Sequence, residues 1–313
     1  MSLVKIMSVD IILATYNGEK YIAEQIDSIL NQSFSDFILY IRDDGSTDNT
    51  VDIIRSYKDQ RVKFLVDEKK CCTAGRNFCE LLKKTTSDYV FFADQDDVWL
   101  PNKVERTLKH LREINGAGLV YVNGRVVNKD LIDLSVNVYP LTMPAPDLRN
   151  LFFLNGGVQG CALAINRDLL NLINDYDHLF WHMHDQVVTF YAALYGKIVF
   201  IDEILFLYRQ HENNVIGHQN KGYFKALFSQ LKKERKDYLI HYSSLQFIKS
   251  FYKIEKNRMD RNSLEIFQSF FSFISSGKLI SIFSILMNGF SLKGSKVRLL
   301  VKSIFTNKVE SQS

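Results

Sequence analysis

Proline is scarce in this chain of 313 residues, and three of its four prolines, Pro140, Pro144 and Pro146, fall within one short stretch. Runs rich in glycine, serine or glutamine are missing too. A long flexible linker and a low-complexity tail are therefore excluded, and the chain reads as compact nearly throughout. Its four cysteines, Cys71, Cys72, Cys79 and Cys161, match no paired C-x-x-C zinc spacing, and two are sequence neighbours. That argues against a disulfide framework and suits a reducing compartment. No apolar run is long enough to span a bilayer: the strongest, Leu279 to Phe290, is bounded by Lys278 and Lys293, well short of the ~20 residues a spanning helix needs. Met1 to Asp10 leads straight into an apolar segment without a small-residue cleavage site, so no secretion signal is expected. The P-loop pattern G-x-x-x-x-G-K-[ST] is missing, and the turn after the first apolar segment, Thr15-Tyr16-Asn17-Gly18-Glu19, holds a single glycine. Both facts disfavour a P-loop NTPase and a sugar-phosphate nucleotidyltransferase.

What remains is 46% hydrophobic and 24% charged with a net charge of +4, enough for one large globular domain or one domain with an appendage. Strands and helices alternate along it. Val9 to Ala14 reads as a buried strand, and Gly18 to Gln32 as a helix with Tyr21, Ile22, Ile26, Ile29 and Leu30 at helical spacing. Phe37 to Ile41 runs into Arg42-Asp43-Asp44-Gly45-Ser46-Thr47-Asp48, where Ser46, Thr47 or Asp48 can cap a helix through Tyr57. Val62 to Val66, Tyr89 to Ala93 and Leu119 to Val122 read as further strands; Gly75 to Lys84 and the segment opened by Pro101 read as helices. This alternation predicts an α/β, Rossmann-like, doubly wound and mostly parallel sheet, with its ligand crevice at the C-terminal strand ends.

Regularity lapses between Gly124 and Asn155, expected to be a surface excursion, either a substrate-side loop or a passive insertion. It returns as a strand over Gly160 to Ile165, a helix over Asp185 to Tyr195, and two strands, Lys197 to Ile201 and Leu205 to Gln210. The alternating domain is expected over residues 1–218. Residues 219–313 read as an α-helical appendage, in which Ile266 to Ile274 and Leu279 to Phe290 are interspersed with Lys and Arg. Such helices either pack on the core or lie on a membrane surface.

Carboxylates gather where the strands end. Asp94-Gln95-Asp96-Asp97 directly follows an apolar strand; carboxylate oxygens there suit a hard cation, Mg2+ or Mn2+, that keeps open positions for phosphate oxygens, although acidic turns also cap helices. Trp99 offers an apolar wall for a sugar face, or simply packs. Asp43 and Asp44 stand one βα unit earlier and should face the same crevice, where a carboxylate can accept the imide N–H of uracil or thymine. Thr15, Tyr16 and Asn17 can add polar or stacking contacts to the nucleoside. Deprotonating an acceptor hydroxyl calls for a carboxylate or histidine beyond the donor, and His182-Met183-His184-Asp185 supplies Asp185; as a helix cap it needs no ligand. Arg209 and His211 follow the last strand and are candidates for diphosphate and metal. The basic run Lys232-Lys233-Glu234-Arg235-Lys236 is a solvated face or meets an anionic partner, and the lack of recognition motifs argues against nucleic acid.

Taken in order, Ala14-Thr15-Tyr16-Asn17-Gly18, Arg42 to Asp48, Ala93-Asp94-Gln95-Asp96-Asp97-Val98-Trp99, His184-Asp185 and Tyr208-Arg209-Gln210-His211 resemble the motifs of bacterial family 2 glycosyltransferases over about residues 8 to 218. The resemblance implies the GT-A fold, a nucleoside-diphosphate sugar donor, a divalent metal (Mn2+ or Mg2+) and inversion at the anomeric carbon. It makes Asp185 the catalytic base, Asp44 the nucleobase carboxylate, and Asp94 and Asp96 the D-x-D pair, with Asp96 nearest the metal. The expected site is completed by Thr15, Tyr16, Asn17, Asp43, Asp94 and Arg209 on the donor, His211 on the metal, and Trp99 and His184 toward the acceptor. Within the family, the runs Asp94 to Trp99 and Tyr208 to Val215 are most similar to rhamnosyltransferases of cell-wall and O-antigen chains. That subgroup implies dTDP-L-rhamnose as donor, a saccharide acceptor on a lipid carrier, and a cytoplasmic enzyme peripheral on the inner membrane face. A UDP-hexose donor, or a silent carbohydrate-binding scaffold, are the other readings; the Asp94/Asp96 pair together with Asp185 argues against the scaffold. Beyond His218 the resemblance weakens, so it carries over neither the acceptor nor the role of the helices.

Overall fold

A computed structural model describes residues 8–67, 69–140, 145–173, 177–211 and 238–309. The chain divides into two compact units: Met1–Leu141, Val158–Asn174 and Met183–His218 form one, and Thr142–Gly157, Asp175–His182 and Gln219–Ser313 the other. The boundary expected near His218 and the basic run Lys232 to Lys236 lie outside the described residues.

The first unit starts from β1 (Val9–Thr15), whose Ile11, Ile12 and Leu13 are fully buried. Its single charge, Asp10, is buried too, and is satisfied by hydrogen bonds from Thr86 N (2.9 Å), Ser87 N (3.0 Å) and Ser87 Oγ (2.7 Å). On either side of β1 lie β2 (Phe37–Asp43) and β4 (Tyr89–Ala93), with β3 (Val62–Leu65) beyond β2, all in parallel. Parallel neighbours need crossovers, supplied by α1 (Ile22–Leu30), α2 (Thr50–Ser56) and α3 (Ala74–Leu82). In α1 the i, i+4, i+7 spacing of Ile22, Ile26 and Ile29 places all three in the core. Thr73 starts α3, its side chain accepting from Arg76 N.

Beyond β4 come the short β5 (Val98–Trp99), α4 (Lys103–Arg112), β6 (Gly118–Asn128), β7 (Asp133–Asn137), the helical turn α5 (Leu148–Leu151), β8 (Leu163–Asn166), α6 (Arg167–Asn171), α7 (His184–Tyr195) and β9 (Lys197–Gln210). The strand order is β3-β2-β1-β4-β8-β6-β9-β5, with β7 on β6. β6 and β9 pair in parallel, whereas β8 runs antiparallel to both β4 and β6. One feature of this sheet differs from the sequence reading. The two strands expected over Lys197 to Gln210 are one, pairing with β6 along its length and absorbing Asp202-Glu203 where the register shifts around Asn123. There Asn123 Nδ2 donates to Asp202 (2.7 Å) and Arg106 pairs with Glu203, so the charges that read as a break have partners.

The second unit has a core of phenylalanines. Phe267, Phe270 and Phe273 of the helix Arg261–Ser275 are buried, and Phe270 stacks on Phe152 at 4.1 Å between ring centroids. Phe153 and Phe290 join the same cluster. The supposed surface excursion thus contributes Leu151, Phe152 and Phe153 to a hydrophobic core. Helices Tyr242–Glu255, Lys278–Asn288 and Lys296–Phe305 and a two-stranded pairing of Tyr238–Ile240 with Asn307–Val309 complete the unit. Among the described residues no helix is long and apolar enough to cross a membrane.

Candidate active site

A cavity of about 820 Å³ opens in the first unit at the C-terminal ends of β1, β2 and β4, the place where open α/β sheets leave a crevice. Its floor is set by Gln95. The side-chain oxygen of Gln95 accepts from Thr15 Oγ1 (2.6 Å) and Tyr16 N (2.9 Å), while its Nε2 donates to Tyr16 O (3.1 Å). A Cβ at residue 18 would fall 2.4 Å from that oxygen, so the glycine of the first turn is what lets the two strand ends close on each other. Asn17, with φ +49°, bridges to the next loop: its N–H donates to Ser46 Oγ (2.7 Å) and its Oδ1 accepts from Thr47 N (2.8 Å).

Asp43 and Asp44 part company. Asp43 accepts from Gly45 N (2.9 Å) and Ser46 N (2.7 Å), shaping the turn, and is not among the residues lining the cavity. Asp44 does line it, and its carboxylate also holds the following loop through the N–H groups of Cys71 and Cys72. Behind it lies Arg42, 1% exposed, bonded to Asp67 (2.7 and 2.9 Å) and Asn77 (2.8 Å). Burial alone would lower its pKa, but the hydrogen bonds and charge of Asp67 outweigh that and raise it, so Arg42 is a permanent cation bracing this edge.

The acidic turn after β4 sits opposite. Gln25 Nε2 of α1 donates to the Asp94 carbonyl (2.8 Å). Desolvation, then the charges of Asp96 and Asp185, push Asp94 up to about 7. Three carboxylates from a strand end and a helix start therefore share one space. Asp96 and His211 meet directly, Oδ2 to Nε2 at 2.9 Å, and the His211 ring lies against Tyr21, tilted 30° with 4.8 Å between ring centroids. Asp97 lies deeper: it is fully buried, and its Oδ2 has no hydrogen-bond partner among the described residues. Burial and then the charges of Asp96 and Asp94 raise its pKa strongly.

Two donor sets could hold a cation. Ligand atoms of Asp94, Asp97 and Cys161 lie within 4.8 Å of one another, but a soft thiol sulfur suits a hard divalent cation poorly. Asp94, Asp96 and His211 instead all line the cavity, and the mutual repulsion of the carboxylates is what a hard divalent cation relieves. The donor types of the second set suit such an ion, although among the described residues its ligand atoms are not gathered as closely as those of the first set.

Beneath the turn lies Lys103, 1% exposed, its Nζ donating to the Cys161 carbonyl and sitting 3.7 Å from the Trp99 ring centroid. Burial lowers it to about 8 against the opposing pull of Cys161, Asp97 and Asp94, so it serves as a buried countercharge. Trp99 is 2% exposed and pairs with Phe206 between β5 and β9; it is not among the cavity residues. Neither is Arg209. Its guanidinium donates to the carbonyls of Asp96 (2.7 Å) and Lys129 (2.7 Å), pairs with Glu24 and lies 4.5 Å from the Tyr21 ring centroid, so it positions the acidic turn from behind.

The far wall comes from α7. Asp185 stands in its first turn, 5% exposed, with Oδ1 accepting from Gln186 N (2.6 Å), and lines the cavity. His184, also lining it, packs against Phe78 (3.7 Å between centroids) and Phe92 (5.3 Å), which also touch each other. Burial drops its pKa to about 3, so the imidazole is neutral. Among the described residues neither ring nitrogen has a hydrogen-bond partner. Gly160 abuts the ring so closely that a Cβ would sit 2.0 Å from Nε2.

The structure thus brings Thr15, Tyr16, Asn17, Asp44, Asp94, Asp96, His184, Asp185 and His211 to one cavity, and leaves Asp43, Trp99 and Arg209 outside its lining. Sequence reasoning missed Arg42, Gln95, Lys103 and Gly160. Only Lys103 left a readable signal: it stands at helical spacing with Thr107 and Leu111, on the buried stripe of α4.

The sequence model described as "Glycosyl transferase family 2" matches residues 10–171. The chain is 30% identical over 241 residues to the dTDP-rhamnosyl transferase RfbG of Shigella flexneri, covering 70% of this chain and 78% of that one. It is 30% identical over 179 residues to the UDP-Glc:alpha-D-GlcNAc-diphosphoundecaprenol beta-1,3-glucosyltransferase WfgD of Escherichia coli, covering 55% and 68%. In fold it is similar to S. aureus TarS 1-349 in complex with UDP-GlcNAc, with a TM-score of 0.55 at 17% identity over 96% of this chain and 90% of that one; of another TarS structure it spans 37%.

Proposed function

Because the chain belongs to glycosyl transferase family 2, we propose that it is an inverting, metal-dependent enzyme that moves a sugar from a nucleoside diphosphate to a saccharide hydroxyl within the cavity at the ends of β1, β2 and β4. The observation that carries this reading is the meeting of Asp44, Asp94, Asp96 and Asp185, from three separate elements, around that one space.

The acceptor oxygen attacks the anomeric carbon while the bond from that carbon to the diphosphate oxygen breaks, its electron pair leaving with the nucleotide. The hydroxyl proton passes to the Asp185 carboxylate. His184 beside it stays neutral and adds no positive charge of its own there. Asp44, together with Tyr16, receives the nucleoside at the rim. Asp94, Asp96 and His211 are the residues that would hold a divalent cation, which when bound supplies positive charge to the leaving diphosphate. Arg209 and Gln95 keep those carboxylates in place through the backbone of the acidic turn and of β1.

We assign dTDP-L-rhamnose as the donor on the likeness to RfbG; the likeness to WfgD supports a UDP-hexose as the second reading. The name of WfgD also supports a lipid-linked saccharide as acceptor, and the family resemblance supports a product in a surface polysaccharide made at the cytoplasmic face of the membrane. Catalysis is assigned to residues 1–218, and the helical region 219–313 to a supporting role.

Calorimetry with dTDP-rhamnose, UDP-glucose and UDP-N-acetylglucosamine, with and without Mn2+, tests this reading. Mn2+-dependent binding of dTDP-rhamnose alone is expected, and Asp96→Ala should remove the dependence on Mn2+. Preference for a UDP-sugar would exchange the donor, and binding to none of them would remove the enzyme reading.

A further inference from the structure

In the second unit, helices Lys278–Asn288 and Lys296–Phe305 pack against each other. Each buries one stripe, Ser281 and Ile285 on the first and Leu299 and Ser303 on the second. At 100° per residue the side chains opposite those stripes should be polar if they faced only water. They are not. Ile280, Phe283, Leu286 and Met287 on the first helix, and Val297 and Phe305 on the second, are large, apolar and 51% to 69% exposed. Monomeric proteins seldom leave so many neighbouring large apolar side chains in solvent without a use for them.

Charge identifies the occupant. Residues 277–309 hold six lysines and arginines and neither aspartate nor glutamate. On the second helix Arg298 and Lys302 flank the apolar stripe instead of lying opposite it, the distribution of a helix that sinks its apolar face between lipid chains and sets its cations among the headgroups. A second copy of this chain would set like charge against like across a two-fold axis. A neutral bilayer would leave the cations unused.

We propose that this two-helix face docks on an anionic lipid surface, with Phe283 and Met287 entering the acyl boundary and Arg298 and Lys302 meeting lipid phosphates. The proposal rests on the glycosyl-transfer reading only for its purpose, which is to bring the enzyme to the membrane that carries a lipid-linked acceptor.

The test is co-sedimentation of the full chain with vesicles of phosphatidylcholine alone and with about one quarter phosphatidylglycerol, the share of anionic lipid that makes headgroup attraction measurable. Binding to the anionic vesicles only, weakened by salt, is expected. Phe283→Asp with Met287→Asp should lower the partition coefficient at least ~10-fold, and so should Arg298→Glu with Lys302→Glu, a pair that leaves the apolar side chains in place. Equal binding to both vesicle types, no binding by the wild type, or unchanged binding by both double variants would overturn the proposal. So would a concentration-dependent dimer that either variant abolishes, since a second copy would then be the occupant. Neither donor nor acceptor is present in this assay, so a failure of the glycosyl-transfer reading leaves its outcome unchanged.

Discussion

Asp185 and His184 are adjacent in sequence, yet they stand in different surroundings. Asp185 points into the shared cavity with a backbone N–H on its Oδ1, whereas His184 is packed against two phenylalanine rings. For the first, Asp185→Asn should cut kcat by roughly 10²–10⁴ while leaving donor binding by calorimetry within about twofold, because the amide keeps shape and polarity but cannot take the proton. Near wild-type transfer would remove Asp185 from the role of base. For the second, the sign follows from burial: the unfolded chain takes up a proton near the ordinary histidine value of 6.5, while the folded chain resists until about 3. The stabilising contribution is therefore complete above pH 6.5 and lost as pH falls toward 3. In thermal melts between pH 7 and pH 4, His184→Leu should lose less stability than the wild type; parallel losses would mean that the imidazole is not the group resisting protonation.

At the level of elements, the site depends on a packed junction between the turn Gly160–Ala162 and the start of α7. Gly160→Ala would drive a methyl into a ring already packed against Phe78 and Phe92. Overpacking of this kind costs about 1–3 kcal/mol and should also displace Asp185, so both the melting temperature and kcat should fall. Gly156→Ala, where a Cβ meets nothing within 4 Å, serves as the control; equal behaviour of the two variants would show that the close approach carries no strain. None of this junction was legible beforehand. The strands β1, β2 and β4, which carry the acidic turns, were readable because each is a short apolar run stopped by Asp or Gly, a local signal. The antiparallel direction of β8 was not, since Leu163 to Asn166 has the same composition whichever way it runs and only its neighbours β4 and β6 decide.

Across the whole molecule, the division into two units cuts the chain at several places. Phe152 and Phe153 lie more than a hundred residues before the phenylalanines they pack with, among them Phe270, Phe273 and Phe290. A chain truncated after Gly222 would therefore keep two buried rings while losing the residues that bury them. Size-exclusion chromatography should show it aggregated or expanded, and its melting temperature should fall below that of the full chain. A monodisperse, equally stable fragment would mean that the first unit does not need the second.

Local pattern was sufficient for the order of the acidic and polar motifs, the alternation of strand and helix, and hence the family, because all of these are written within a few residues of one another. Which of the motif residues face the cavity was decided only by packing. Asp43 and Asp44 are neighbours, yet one shapes its own turn and the other lines the site. Trp99 and Arg209 stand inside recognisable motifs but are drawn beneath the surface by partners far along the chain, Phe206 for the one and Glu24, Lys129 and Tyr21 for the other. A side chain's direction follows from contacts that close over a hundred residues or more, and no window on the sequence spans them.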